Sequence, residues 1–360
     1  MKRAIENIVD TDKNFSMNQL ADAAWPLIEA NSDVENAIIE IKRLLGRNYR
    51  KLAYSILRNA FLIELVKIPK IETTKFRVRW FNQLVGDPRY CSFDECFLIA
   101  KDLLNMLPEW LNTPNHLECM ELSFSNGMIP YETPLDYVTR FTQQNRLHQR
   151  GNLSWFYDEL VLRTLKLRKY LTNEETSPDR EFFRTVLNDK IKVKTYLTDR
   201  VLTGDHKTNR EKRWETHPNS VHYAERRVCM AIEYALVTQI CAFDQFPVAS
   251  LRQLQDASIL PANLPTALCP ITGDALSYAA FRNELLNPTH GKSDFQVGHL
   301  NPLKLGNEGE AAGHTSDNIS WISADGNRIQ GSLSLEHVRI LIQRISDNYD
   351  RHQWWPQPED

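Results

Sequence analysis

Apolar residues recur at intervals of three and four along the first part of the chain: Leu20, Ala23, Ala24 and Leu27, then Ile38, Ile41, Leu44 and Leu45, then Leu52, Ile56, Phe61 and Leu65. That period places an apolar stripe on a helix and predicts two or three packed helices between Met17 and Lys67. Asn31-Ser32 before Asp33 reads as a break with a cap, and Gly46 reads as a stop. The same spacing predicts helices at about 93–106, 135–147, 153–171, 179–197 and 219–243. Pro108, Pro114, Pro130 and Pro134 separate some of them, because proline ends helices and biases its predecessor toward extended backbone. From Asn219 to Phe243, Val221, Ala224, Val228, Ile232, Ala235, Leu236, Gln239 and Ile240 form one stripe, which reads as a long core helix. Cys229 and Cys241 on it are most simply small buried apolar residues.

After Pro261 the texture changes. Leu268-Cys269-Pro270-Ile271-Thr272-Gly273 is followed by a helix-like run to about Leu286, a short strand Phe295-Gln296-Val297 and a polar, glycine-bearing loop from Gly306 to Ser316. Ile319-Ser320-Trp321-Ile322 then alternates like a strand, and a helix runs on to about Asn348. The expected class is therefore α+β, with a mainly helical N-terminal body over 1–260 and a small mixed unit over 261–360.

Length and composition narrow the picture by exclusion. At 360 residues, 42% apolar and 25% charged, the chain has ordinary globular usage and can bury a core without disulfides or structural metals. The six cysteines (Cys91, Cys96, Cys119, Cys229, Cys241, Cys269) contain no C-x-x-C pair, which disfavours a disulfide framework or a four-cysteine zinc site. No stretch approaches the roughly 20 apolar residues that span a bilayer, and the first residues lack a signal-peptide core. A cytoplasmic protein with no membrane partner is expected. The net charge of −3 means that any polyanion must be met by a local basic patch rather than a global field.

The informative stretch is Val297-Gly298-His299-Leu300-Asn301-Pro302 followed by Asp317-Asn318-Ile319-Ser320-Trp321-Ile322-Ser323-Ala324-Asp325-Gly326-Asn327-Arg328. A histidine ends one strand, an asparagine 19 positions later opens a second, and another asparagine 9 positions on begins a helix. A hairpin and helix would bring the three side chains together. Over about residues 269–335 the chain resembles the HNH endonuclease family, whose site sits on a ββα-metal fold. The second half, Asp317-Asn318 with Asp325-x-Asn327-Arg328, resembles the corresponding stretch of HNH domains in RNA-guided DNA nucleases.

The resemblance implies a metal-dependent DNA endonuclease, with restriction or other phage defence as its setting. A neutral imidazole accepts the proton of an attacking water near pH 7, which is the role expected of His299. A neutral amide oxygen can ligate Mg²⁺ or Mn²⁺ beside waters and phosphate, the role expected of Asn327. Asn318 is expected to hydrogen-bond backbone across the hairpin connection and hold the histidine in place. The sequence departs from the family at Gly298, where many HNH sites carry Asp or His as a ligand. Asp294, His314 and Asp325 are the substitutes to consider, although Asp325 also reads as an N-cap.

Cys269-Pro270-Ile271-Thr272-Gly273 lacks the second cysteine of a zinc knuckle and reads as a tight turn. His206, His217 and His222 have no helical ligand spacing. The best basic patch is Lys190 to Arg213, eight basic residues against three acidic. Its loop Thr203 to Arg210 would track phosphates and reach base edges, with Lys207, Arg210, Arg213 and, on the nuclease helix, Arg328 as substrate contacts. Arg140 to Arg150 is a second candidate. Double-stranded DNA is the expected partner, and two copies are expected, because one such centre cuts one strand. A DNA-binding or sensor protein with a degenerate HNH site, or a nuclease without sequence preference, stays open as an alternative.

Overall fold

The computed structural model describes residues 1–9, 16–61, 63–67, 74–78, 92–125, 159–191, 207–208, 226–289, 293–302 and 315–356. The described part is mostly helical, with a small two-stranded antiparallel sheet near the C-terminus, an α+β arrangement.

The first helices are α1 (Lys2–Val9), α2 (Met17–Glu29), α3 (Glu35–Leu45) and α4 (Tyr49–Asn59). Ser16 and Gln19 close a capping box at the start of α2. Asn31 shapes the turn rather than capping: its Oδ1 accepts from the Asp33 amide, while Val34 sits at the N-cap of α3. Gly46, at φ +50°, ends α3 as its sequence position suggests. The helical reading fails beyond Asn59. Ile63–Lys67 is a strand, β1, paired antiparallel with β2 (Thr74–Val78) and with β3 (Lys207–Thr208). The stripe that carries Leu65 is thus overridden by sheet pairing.

Next come α5 (Phe93–Leu111), α6 (Pro114–Ser125) and α7 (Glu159–Thr172). Pro108 does not end α5. The buried face of Leu103, Leu104, Leu107, Trp110 and Leu111 carries the helix through it, whereas Pro114 opens α6 at a position where its missing N–H has no partner to lose. α8 (Arg180–Thr185) runs into a π-helical turn, Val186–Ile191. α9 (Arg226–Cys241), α10 (Val248–Asp256), α11 (Tyr278–Leu286), β4 (Phe295–His299), β5 (Ile319–Ser323), α12 (Ala324–Gln330) and α13 (Leu335–His352) complete the order. Among the described residues no helix is long and apolar enough to cross a membrane.

Two hydrophobic clusters meet on α7 and α9. One runs from Ile5 to Leu165 with Cys229 and Met230; the other runs from Leu167 to Val338 and contains the hairpin. Where they meet, Arg168 of α7 and Glu233 of α9 form a buried, two-pronged ion pair, with Nε–Oε1 at 2.8 Å and Nη2–Oε2 at 2.5 Å. The core beneath the hairpin includes Leu236, Ile240 and Phe243, which lie before residue 260. α9 is therefore the floor on which the C-terminal hairpin is built.

Candidate functional site

β4 and β5 pair antiparallel in the register Phe295↔Ser323, Gln296↔Ile322, Val297↔Trp321, Gly298↔Ser320 and His299↔Ile319. Phe295, Val297, Ile319 and Trp321 are buried on one face, as alternation demands. Trp321 is the wedge. Its ring meets Phe281 edge-on at 4.8 Å and its Nε1 donates to the Leu236 carbonyl of α9 at 3.0 Å. Gln239 of α9 completes the docking, its Oε1 accepting from the Trp321 amide at 3.0 Å and from Ser320 Oγ at 3.2 Å. The sequence pattern assigned Gln239 only to the stripe.

His299, half-buried, forms the last pair of the ladder. The chain after it is tied down by Asn318, which is 3% exposed. The Leu300 amide donates to the Asn318 carbonyl at 2.8 Å, the Asn301 amide donates to Asn318 Oδ1 at 2.7 Å, and Asn318 Nδ2 donates to the Asn301 carbonyl at 2.9 Å. One carboxamide thus satisfies both backbone groups of Asn301. Asn301 Oδ1 in turn accepts from the Leu335 amide at the start of α13, at 3.3 Å.

The helix of the site, α12, is capped by Ser323, whose Oγ accepts from the Gly326 amide at 3.1 Å. The N-cap is therefore Ser323 and not Asp325, because Ser323 is the last extended residue before the helical turn begins. Asp325 instead pairs with Arg328 at 2.8 Å, with both side chains largely in solvent. Gly326 is required by close approach. A Cβ there would lie 2.8 Å from Cys269 Sγ and 3.0 Å from Ser323 Oγ. The helix does not run on to Asn348 as one piece. Gly331, at φ +54°, stops α12, and Ser334 caps α13.

Asn327 faces β4. Its Nδ2 donates to Gln296 Oε1 at 2.7 Å, and its Oδ1 lies 3.7 Å from where a Cβ on Gly298 would stand. A Cβ at 298 would thus lie in van der Waals range of the Asn327 oxygen. Gln296 was missed by sequence reasoning and becomes visible only once the strand is paired with the helix.

The substitutes for an acidic ligand do not converge on this point. Asp294 precedes β4, at the far end of the strand from His299, about 17 Å away by strand rise. Its amide donates to Glu284 Oε2 and its carbonyl accepts from Ala324. Asp325 lies two residues before Asn327, so it projects from the other side of α12. His314 lies outside the described residues, as do His206, His217, His222, Arg140 to Arg150, Arg210 and Arg213. Lys207 is described, but in β3 rather than in a loop, because the extended backbone at 207–208 pairs with Val66 and Lys67 of β1.

Cys269 to Gly273 forms the tight turn: the Gly273 amide donates to the Cys269 carbonyl at 2.9 Å, and Gly273 takes φ +80°. Burial pushes the Cys269 thiol up, but hydrogen bonds from Ser323 and Thr272 outweigh it and hold the thiol below its ordinary range. Among the described residues no three His, Cys, Asp or Glu side chains are grouped to hold a metal ion. The donor that fits a hard divalent cation is the Asn327 amide oxygen, fixed in orientation by Gln296. No family model, curated protein or solved structure matches the chain, so the functional reading rests on the arrangement of these residues.

Proposed function

We propose that the chain is a metal-dependent DNA endonuclease of the HNH type, with a ββα-metal unit built from β4, β5 and α12, and that its role is site-specific restriction of double-stranded DNA by two copies acting together. The observation that carries this reading is the Asn318 carboxamide closing on both backbone groups of Asn301, two residues after His299, while Asn327 on the facing helix sits against Gly298. The backbone just after His299 and the Asn327 side chain are thus both held at the end of β4 that the reading assigns to the site.

In this reading His299 takes the proton of the attacking water, as a neutral imidazole does near its ordinary pKa. Asn318 keeps that residue in place, and Gln296 keeps the Asn327 amide oxygen toward the strand. Asn327 would hold Mg²⁺ or Mn²⁺, which when bound supplies stabilisation of charge on the phosphoryl oxygens and the departing 3′ oxygen. Lys207, Arg210, Arg213 and Arg328 neutralise backbone phosphates. The solvent position of Arg328, held by Asp325, suits exchange of that partner for phosphate.

Incubation of the purified chain with plasmid and phage DNA in Mg²⁺ or Mn²⁺ tests the reading. Discrete fragments support restriction, and a smear supports cutting without sequence preference. Intact DNA with a gel shift replaces the enzyme with a binding or sensor protein.

A further inference from the structure

We infer that Gln330 is a positioning residue for His299, its buried carboxamide clamping the backbone that carries the base. The role of the base rests on the nuclease reading above; the clamp rests on geometry. Gln330 closes α12 and is 4% exposed. Its Nε2 donates to the carbonyl oxygens of His299 at 3.0 Å, Leu300 at 2.7 Å and Leu333 at 3.3 Å. Two N–H protons serve three acceptors, so one proton is shared.

The clamp lies where strand pairing ends. His299 is the last residue of the ladder, and the next residues are held by side chains: Asn318 grips Asn301 from β5, and Gln330 grips His299 and Leu300 from α12. Gln330 also follows Asn327 by three residues, so the two share a face of α12. The turn is closed by the Gly331 amide on the Asn327 carbonyl at 3.1 Å. One helical turn therefore holds β4 twice, through Asn327 on Gln296 and through Gln330 on His299. That double grip fixes the separation between the base and the amide oxygen opposite Gly298. Misplacing a catalytic group by about 1 Å costs on the order of a hundredfold in rate.

The test uses the full chain in two arms. In the first, a duplex that the wild type cuts in Mg²⁺ is offered to Gln330→Met, which keeps the length and loses the donors, and to Gln330→Lys, which restores N–H donors. The clamp predicts that Met lowers kcat by roughly tenfold to a hundredfold with KM for DNA unchanged within about twofold, and that Lys recovers part of the loss. The second arm needs no cleavage: in the ¹⁵N-glutamine-labelled wild type, the Gln330 carboxamide protons should exchange slowly with solvent. Wild-type kcat in Gln330→Met, or fast exchange of that carboxamide, overturns the clamp. If Gln330→Met does not fold, the Lys variant and the exchange measurement decide it. If the wild type cuts no DNA at all, the nuclease reading falls and the exchange rate still decides whether the Gln330 carboxamide is clamped on its carbonyl partners.

Discussion

A Cβ placed on Gly298 would stand 2.7 Å from Cδ1 of Ile322, a fully buried side chain diagonally across the hairpin. Gly298 is not among the glycines at positive φ, so packing and not backbone conformation excludes a side chain there. The space that a side chain at 298 would need is filled by an isoleucine methyl group.

Gly298→Asp alone should therefore lower stability by about 1–3 kcal/mol, the usual cost of overpacking a core. Adding Ile322→Val removes the Cδ1 carbon and should recover most of that loss. By calorimetry without DNA, the double variant should bind Mn²⁺ more tightly than the wild type, whose binding should be weak. A double variant as unstable as the single one would show that Ile322 is not the obstacle.

Asn318→Ala should cost about 1–3 kcal/mol in urea unfolding, since it strands both backbone groups of the half-buried Asn301. Cutting should fall with it, although His299 is untouched. Asn318→Asp keeps the acceptor for the Asn301 amide but turns a carboxylate toward the Asn301 carbonyl, so it should not restore activity. Unchanged stability in Asn318→Ala would remove the tie from this account.

Breaking the buried pair between α7 and α9 should be expensive on one side only. Arg168→Met or Glu233→Leu alone leaves a charge buried without its partner and should cost about 3–5 kcal/mol, whereas the double substitution should lie close to the wild type. Chemical denaturation of the three variants checks this. Additive losses would mean that the pair is not coupled.

Much of this was legible from the chain because local pattern and tertiary demand agree. Ile319-Ser320-Trp321-Ile322 is a strand as its alternation suggests, the described part of the stripe on α9 buries Ile232, Leu236 and Ile240, and the tight turn at Cys269 falls where its proline and glycine put it. Legibility fails where distant partners decide. Leu65 fits a helical stripe, yet its segment is a strand because Thr74–Val78 pairs with it. Pro108 is carried through α5 by the apolar face around it, and only Gly331 divides what periodicity joins into α12 and α13. The three glutamines of the site, Gln239, Gln296 and Gln330, carry no chemical signature in sequence. Each matters through backbone groups or an amide that it meets 30 or more residues away, besides any local partner. A polar residue on a buried face, three positions after Asn327 and just before a glycine stop, was the available signal for Gln330.

Replacing Lys207, Arg210 and Arg213 by alanine should weaken DNA binding and flatten its salt dependence, by a log–log slope of roughly 0.9 for each phosphate no longer neutralised. The measurement is a salt titration of affinity on one duplex. An unchanged slope would move the DNA surface elsewhere, with Arg140 to Arg150 next in line.

The central claim is that His299 is the base of a DNA-cutting centre, and cleavage of plasmid DNA by His299→Ala in Mg²⁺ tests it most directly. The account predicts that wild-type protein cuts, and that the variant binds DNA with unchanged affinity, unfolds at the wild-type denaturant midpoint and does not cut. Cutting by His299→Ala at a rate comparable to the wild type would contradict it.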